Sequence, residues 1–412
     1  MAPRINGQRL TGDLRALRAF GACGTGVVRP AFSAVDMESR RWLAGRMAEA
    51  GLDAEIDGVG NVIGRSPNPG KALVMGSHSD TQPRGGWLDG AMGVIYALEV
   101  ARSLAEDAET NGLPVEIGSW MDEEGSYLGC LGASSFTQVL PDAEILGAAN
   151  LKGETVADAV RAAGLEGRPP ARLDPARHGA YLEAHIEQGP VLESQGKRIG
   201  VVTSIVGIRT FWLTFHGMQN HAGTTPMALR RDAGDALIEF AYRARQKLRA
   251  LSGERSVFTI GRVVFEPGAD SIIPGQAEMS LQFRDPDEAR LDEMEAAVRA
   301  LVEETNAEAP VRLEIAPSTN CIAGAKMDDS LQSHLADAAE QHAPGDWIFL
   351  PSGAGHDAQV FARRLPSAML FVPSIGGISH DFAEDTAEDD IILGCQVMAT
   401  AAAAMVGELN RV

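Results

Sequence analysis

At 412 residues the chain exceeds one ordinary core, since domains cluster near about 100–200 residues, and two domains are expected. Its formal charge of −20 repels phosphate backbones and so argues against nucleic acid as a partner, while a hydrophobic fraction of 45% is that of a globular protein. No apolar run is expected to reach the roughly 18–20 residues that span a bilayer, and Met1–Gly7 lacks the apolar segment of a signal peptide; the chain therefore reads as soluble, free of membrane and cytoplasmic.

In chain order, helical spacing runs from Asp36 to Ala50, and the apolar run Ala72–Met75 leads into Gly76-Ser77-His78-Ser79-Asp80. A second helix is expected from Gly90 to Leu104. Val115–Trp120 then leads into Met121-Asp122-Glu123-Glu124. Short apolar runs bounded by Gly and Pro read as buried strands, and their alternation with helices predicts an α/β fold with a mostly parallel sheet covered on both faces. The middle of the chain differs. Thr210–Phe215, Val257–Ile260 and Ala277–Phe283 alternate as half-exposed strands do, with helical spacing at Arg231–Leu251 and Leu291–Glu304. This predicts an inserted α+β domain at 208–318, leaving 1–207 and 319–412 as the first domain. Met369–Val372 is a further strand, running into Pro373-Ser374-Ile375-Gly376-Gly377-Ile378-Ser379-His380, and the Ala-rich Met398–Met405 is expected in a packed terminal helix.

Ligands gather beyond the carboxyl ends of parallel strands, and there the histidines and acids fall. His78 can bind a metal while Asp80, two residues on, holds its other ring nitrogen. Asp89 in Trp87-Leu88-Asp89-Gly90 is either a helix N-cap or a carboxylate bridging two cations. Acids beside a buried strand are costly, so two of Asp122-Glu123-Glu124 are read as having separate tasks, one binding metal and one taking a proton from water that a cation acidifies. His185 and His380 again follow strand-like stretches. Three histidines and two carboxylates suffice for two divalent ions sharing Asp89, and imidazole suits zinc, nickel, cobalt and, less strongly, manganese. The four cysteines Cys23, Cys130, Cys321 and Cys395 lie far apart and form neither a CxxC zinc site nor an evident disulfide framework. Neither GxSxG nor HExxH occurs.

Ordered motifs run through nearly the whole chain. They are Gly26-Val27-Val28-Arg29-Pro30, Asp57-Gly58-Val59-Gly60-Asn61-Val62, Gly76–Thr81, Leu88-Asp89-Gly90-Ala91, Glu123-Glu124-Gly125, Glu183–Pro190, His221–Met227 and Ser352–Ala358. On these the chain resembles the N-carbamoyl-amino-acid and allantoate amidohydrolase branch of the dinuclear M20 metallopeptidase superfamily. The resemblance implies hydrolysis of a linear amide or ureido C–N bond in a small substrate. It implies one metal on His78, Asp89 and His185, another on Asp89, Glu124 and His380, and Glu123 as general base. It further implies a homodimer in which the inserted domain closes as a lid and His221 polarises the scissile carbonyl in the neighbouring subunit. Gln188, Asn220, Arg284 and the Gly376-Gly377 backbone would line the substrate pocket, with His356 and Asp357 behind the ligands. The chain departs from the family pattern twice. Ser271 stands where asparagine is usual, and Asp381-Phe382-Ala383-Glu384 stands where Ser-Pro-x-Glu is usual; both bear on substrate choice. An N-acyl-amino-acid deacylase or dipeptidase of the same superfamily, and a non-catalytic binding protein that kept the fold, are the competing readings.

Overall fold

A computed structural model describes residues 3–316 and 320–411, the side chains of Asn320 and Cys321 excepted. The chain forms two compact units, Met1–Ser204 with Lys326–Val412, and Ile205–Ala325. The second boundary expected from the sequence, between 318 and 319, lies outside the described residues.

Seven neighbouring strands of the nine-stranded sheet in the first unit run in the order Ile199–Ile205, Ser367–Val372, His178–Ile186, Ala72–His78, Val115–Trp120, Val62–Arg65 and Asp53–Ile56. The four from Ser367–Val372 to Val115–Trp120 are mutually parallel; the flanking pairings are antiparallel. The parallel strands are buried along their length, as strands with helices on both faces must be. On one face Leu73, Met75, Ile117, Leu182 and Leu370 join a core with the helices Gly7–Ala19, Ala91–Glu106, Asp329–His342 and Glu388–Leu409. On the other, Trp120, Phe136, Tyr181 and Phe361 form an aromatic cluster in which the Tyr181 and Phe361 rings stack at 3.8 Å.

The terminal helix corrects one sequence expectation. Glu388–Leu409 is long and apolar enough to cross a membrane by length and composition, because Ile391–Gly407 carries no charged residue. Its apolar side, Ile391, Cys395, Met398, Ala402 and Met405, packs into the core.

The second unit has a five-stranded antiparallel sheet in the order Val257–Glu266, Gln276–Asp285, Gly207–His216 and Arg312–Ile315, with Asn320–Ile322 also pairing to Gly207–His216. One face is apolar: Phe211, Leu213, Phe215, Ala277, Met279, Leu281 and Phe283 alternate along two strands and meet the helices Ala233–Leu251 and Glu288–Glu308. Asp232 and Asp287 cap those helices, each accepting backbone N–H groups of the first turn.

Candidate active site

Three adjacent parallel strands aim their carboxyl ends at one place. His78 is the last residue of Ala72–His78, Glu123 and Glu124 follow Val115–Trp120, and His185 lies near the end of His178–Ile186. His380 arrives on the loop after Ser367–Val372, and Asp89 just before the helix Ala91–Glu106. His185 Nε2 lies 3.1 Å and His78 Nε2 3.7 Å from Asp89 Oδ1, whereas His380 Nε2 lies 3.3 Å from Asp89 Oδ2 and 3.7 Å from Glu124 Oε2. Two groups of possible metal ligands result, His78-Asp89-His185 and Asp89-Glu124-His380, with the donor atoms of each within 4.8 Å of one another. They share Asp89. Glu123 Oε2 is 3.7 Å from His78 Nε2.

Local backbone aims the rings. The Nδ1–H of His78 donates to the Asp80 carbonyl at 3.0 Å, and that of His185 to the Ile186 carbonyl at 2.9 Å, which turns both Nε2 atoms toward Asp89. Asp80 thus holds the other ring nitrogen of His78, through its backbone carbonyl and not its carboxylate. The nearest Asp80 carboxylate oxygen is 3.9 Å from Nδ1, and the carbonyl of the same residue is closer. The Asp80 carboxylate instead accepts the Glu124 N–H at 3.3 Å and lies 3.6 Å from Arg40 Nη2. Asp89 is not the helix N-cap either. Gly90 occupies that position at φ +63°, where a Cβ would lie 2.3 Å from His78 Nε2, so only glycine fits.

The donor set suits divalent cations. Asp89 Oδ2 is buried without a hydrogen-bond partner among the described residues, as an oxygen meant for a cation would be. The carboxylates are also crowded. Burial, then Glu124, Asp357, Asp89 and Asp80, push the Glu123 carboxyl well above its usual range, and burial with Asp89 raises Glu124 to about 8. The neighbouring Asp89 carboxylate raises His380 to about 9 against the effect of burial. So much buried negative charge calls for positive charge at the same place.

The remaining expected residues divide. Gln188 is close: its amide donates to Asp89 Oδ1 and Ser379 Oγ, each at 3.2 Å. Gly376 and Gly377 both hold φ +65° on the His380 loop, yet their N–H groups donate to Glu193 and to the Ser374 carbonyl, so as substrate donors both are engaged. His356 stands edge-on to the His185 ring at 4.6 Å and hydrogen-bonds Ser352. Asp357 is buried with neither oxygen hydrogen-bonded among the described residues. Asn220, His221 and Ser271 gather in the second unit, where Asn220-His221 pairs with Ile272-Ile273 and the Ala222 N–H donates to the Ser271 carbonyl. His221 is exposed, and its Nδ1 accepts the Gly223 N–H at 3.0 Å. Arg284 is not with them. It sits eight residues beyond Gln276 on the same strand, about 26 Å at roughly 3.3 Å per residue.

Sequence reasoning missed three supports. Glu384 is buried and accepts the Asp89 N–H at 3.0 Å and the Ser379 hydroxyl at 2.9 Å; it is the last residue of the departed Ser-Pro-x-Glu string. Gln82 donates through its side chain to Glu124 Oε2 at 2.6 Å. Arg40, fully buried against Asp36, donates to the Ser119 and Trp120 carbonyls and so anchors the strand that delivers Glu123.

Residues 74–404 match the profile of peptidase family M20/M25/M40. The chain belongs to this family. Among its M20 relatives, an N-carbamoyl-L-amino-acid amidohydrolase from Paenarthrobacter aurescens is 33% identical over 96% of this chain and 97% of its own length. An allantoate amidohydrolase from Escherichia coli K12 is 34% identical over 95% and 96%. In structure, an amidase of the hydantoinase/carbamoylase family from Burkholderia phymatum aligns at TM-score 0.89 with 52% identity, covering both chains completely. M20 enzymes are typically dinuclear metal-dependent hydrolases, and the two ligand groups around Asp89 accord with that chemistry.

Proposed function

We propose that this chain hydrolyses the ureido C–N bond of an N-carbamoyl amino acid or an allantoate-like ureide. The observation that carries the reading is the pair of ligand groups sharing Asp89, with Glu123 beside His78. For an N-carbamoyl amino acid, one water is consumed and the amino acid, ammonia and carbon dioxide leave.

His78, Asp89 and His185 would hold one divalent ion and Asp89, Glu124 and His380 the other, zinc, manganese, nickel and cobalt all suiting the donors. Bound there, the ions would supply Lewis-acid polarisation of the carbonyl and acidify a water. Glu123, beside His78, takes the proton of the attacking water and returns it to the departing nitrogen. Gln188 fixes Asp89 from the substrate side, and Glu384 fixes the Asp89 backbone. In this reading Arg284 takes the substrate carboxylate, Asn220 and Ser271 reach the same end of the substrate from the neighbouring subunit together with His221, and the protein works in the cytoplasm.

We further propose that the second unit is a lid and dimerisation domain and that His221 completes the neighbouring subunit's site by donating to the carbonyl oxygen. Several exposed features support this. The ten-residue edge strand Val257–Glu266 pairs on one side among the described residues, Ile238 and Tyr242 are exposed on the adjoining helix, and Met218, Met227 and Leu229 are exposed around His221. The test is subunit mixing. Glu123→Gln and His221→Ala homodimers should each be inactive, and mixing them should restore activity through sites that combine one wild-type Glu123 with one wild-type His221. Failure to restore activity in a demonstrated heterodimer would remove His221 from the partner's site. On substrate, ammonia release from N-carbamoyl amino acids or allantoate is expected; release of an acid plus an amine from N-acyl amino acids alone would replace the ureide reading with an acylase.

A further inference from the structure

One positive charge at the rim of the site has no task in the chemistry above. Arg84 lies on the loop between His78 and Asp89, two residues after Gln82, whose backbone and side chain both donate to Glu124. It is exposed, and no carboxylate lies within ion-pair distance of it among the described residues, in a chain with 56 acidic residues. Its guanidinium carbon instead stands 5.2 Å from the centre of the Phe382 ring. Phe382 is two residues beyond His380 and belongs to the Asp381-Phe382 departure from the family's usual Ser-Pro.

The loops that carry both partners of this stack are tied down. The Phe382 ring packs against Gly26, where a Cβ would lie 2.5 Å from its Cδ1, and the Phe382 carbonyl accepts the Thr25 hydroxyl. On the other loop, Val27 and Gly85 exchange backbone hydrogen bonds at 3.0 and 3.2 Å, and Glu384 accepts the Leu88 and Asp89 N–H groups. Arg84 thus reaches from the loop that ends in Asp89 onto the loop that carries His380. A guanidinium resting on an aromatic face keeps its edge N–H groups available for a planar anion and loses less freedom on binding it. The acids nearest in the chain are occupied: Asp381 accepts the Ala383 N–H, Asp385 accepts the Trp87 indole and Thr386 N–H groups, and Glu384 is buried.

We propose that Arg84, backed by Phe382, is a specificity-determining residue that binds a second carboxylate on the substrate, so that ureido dicarboxylates are preferred over ureido acids with apolar side groups. This rests on the ureidohydrolase reading above and narrows its substrate class. The experiment compares N-carbamoyl-L-aspartate and N-carbamoyl-L-glutamate with N-carbamoyl-L-valine on the metal-loaded full-length enzyme and on Arg84→Ala, Arg84→Lys and Phe382→Ala. The wild type should favour the dicarboxylates in kcat/KM by about tenfold. Arg84→Ala should raise KM for the dicarboxylates by about tenfold, leave their kcat within about twofold and leave the valine substrate unchanged. Lysine should restore part of the preference, and Phe382→Ala should lose part of it. A wild type without preference, or an Arg84→Ala variant that slows all three substrates alike, would overturn the assignment while leaving ureido hydrolysis standing. No turnover of any ureide would overturn both.

Discussion

The two units bury charge on different terms. In the second unit the buried charged side chains among the described residues are Arg209 and Asp285, and both are paired, Arg209 with Glu288, Asp292 and Glu295, and Asp285 with Arg290. Its core is otherwise an alternating apolar sheet under two amphipathic helices. In the first unit Asp89, Asp357 and Glu384 are buried near the carboxyl ends of the parallel strands with Glu123 and Glu124 close by, and among the described residues Asp89 Oδ2 and both Asp357 oxygens have no hydrogen bond. Burying an unpaired carboxylate costs stability, and a fold that retains several in one place retains them for chemistry. The contrast locates the site within one chain: paired charge marks structure, and unpaired buried charge marks function.

The comparison breaks most visibly if a carboxylate assigned to chemistry proves structural. Glu123→Gln should lower kcat by about a thousandfold or more while metal content and melting temperature stay near wild type. Near-normal turnover would remove Glu123 from the reaction. The converse applies to paired charge. Arg40→Leu leaves Asp36 buried without its charged partner and takes the guanidinium bonds from the Ser119 and Trp120 carbonyls, so urea unfolding should report a loss of about 3 kcal/mol or more.

A smaller effect is expected at Glu116, which Arg177 and His178 bond at 2.7 and 3.2 Å on the strand that leads to the site. Burial alone would raise this carboxyl, but the bonds from His178 and Arg177 outweigh it and the pKa lies below its ordinary 4.5. A depressed carboxyl stabilises the fold above its unfolded pKa, and that contribution is lost as pH falls through the folded value. Glu116→Gln should therefore cost about 1–2 kcal/mol at neutral pH, and the difference from wild type should shrink below pH 4.5. A constant difference would assign the effect to packing. Least is expected of Asp357→Asn. Removing a charge that burial and Glu183 disfavour should leave stability unchanged or raise it by up to about 1 kcal/mol, and a loss beyond that would make Asp357 structural.

What the sequence made legible follows from where its signals are local. Ala72–His78, Val115–Trp120 and Ser367–Val372 are short apolar runs that end in polar residues, so strand, direction and ligand could be read together. Register within a loop could not. His78 and Asp80 have the right spacing, but whether the Asp80 carbonyl or carboxylate meets Nδ1 depends on backbone dihedrals that spacing does not encode. Paired glycines at Gly376-Gly377 point to backbone near a ligand, yet the direction of their N–H groups is set by Glu193 and Ser374. Arg40 and Glu384 act across 80 and 295 residues of chain and carry no periodic signal. The terminal helix misled through composition, since alanine reads as weakly apolar residue by residue while the whole segment is apolar enough to span a bilayer.

The account depends on two cations sharing Asp89. Crystals equilibrated with manganese and measured at its absorption edge test this directly. Two anomalous peaks about 3.5–4 Å apart are predicted, one against His78 and His185, the other against Glu124 and His380, with Asp89 between them. One peak, or two that do not both touch Asp89, would contradict the account.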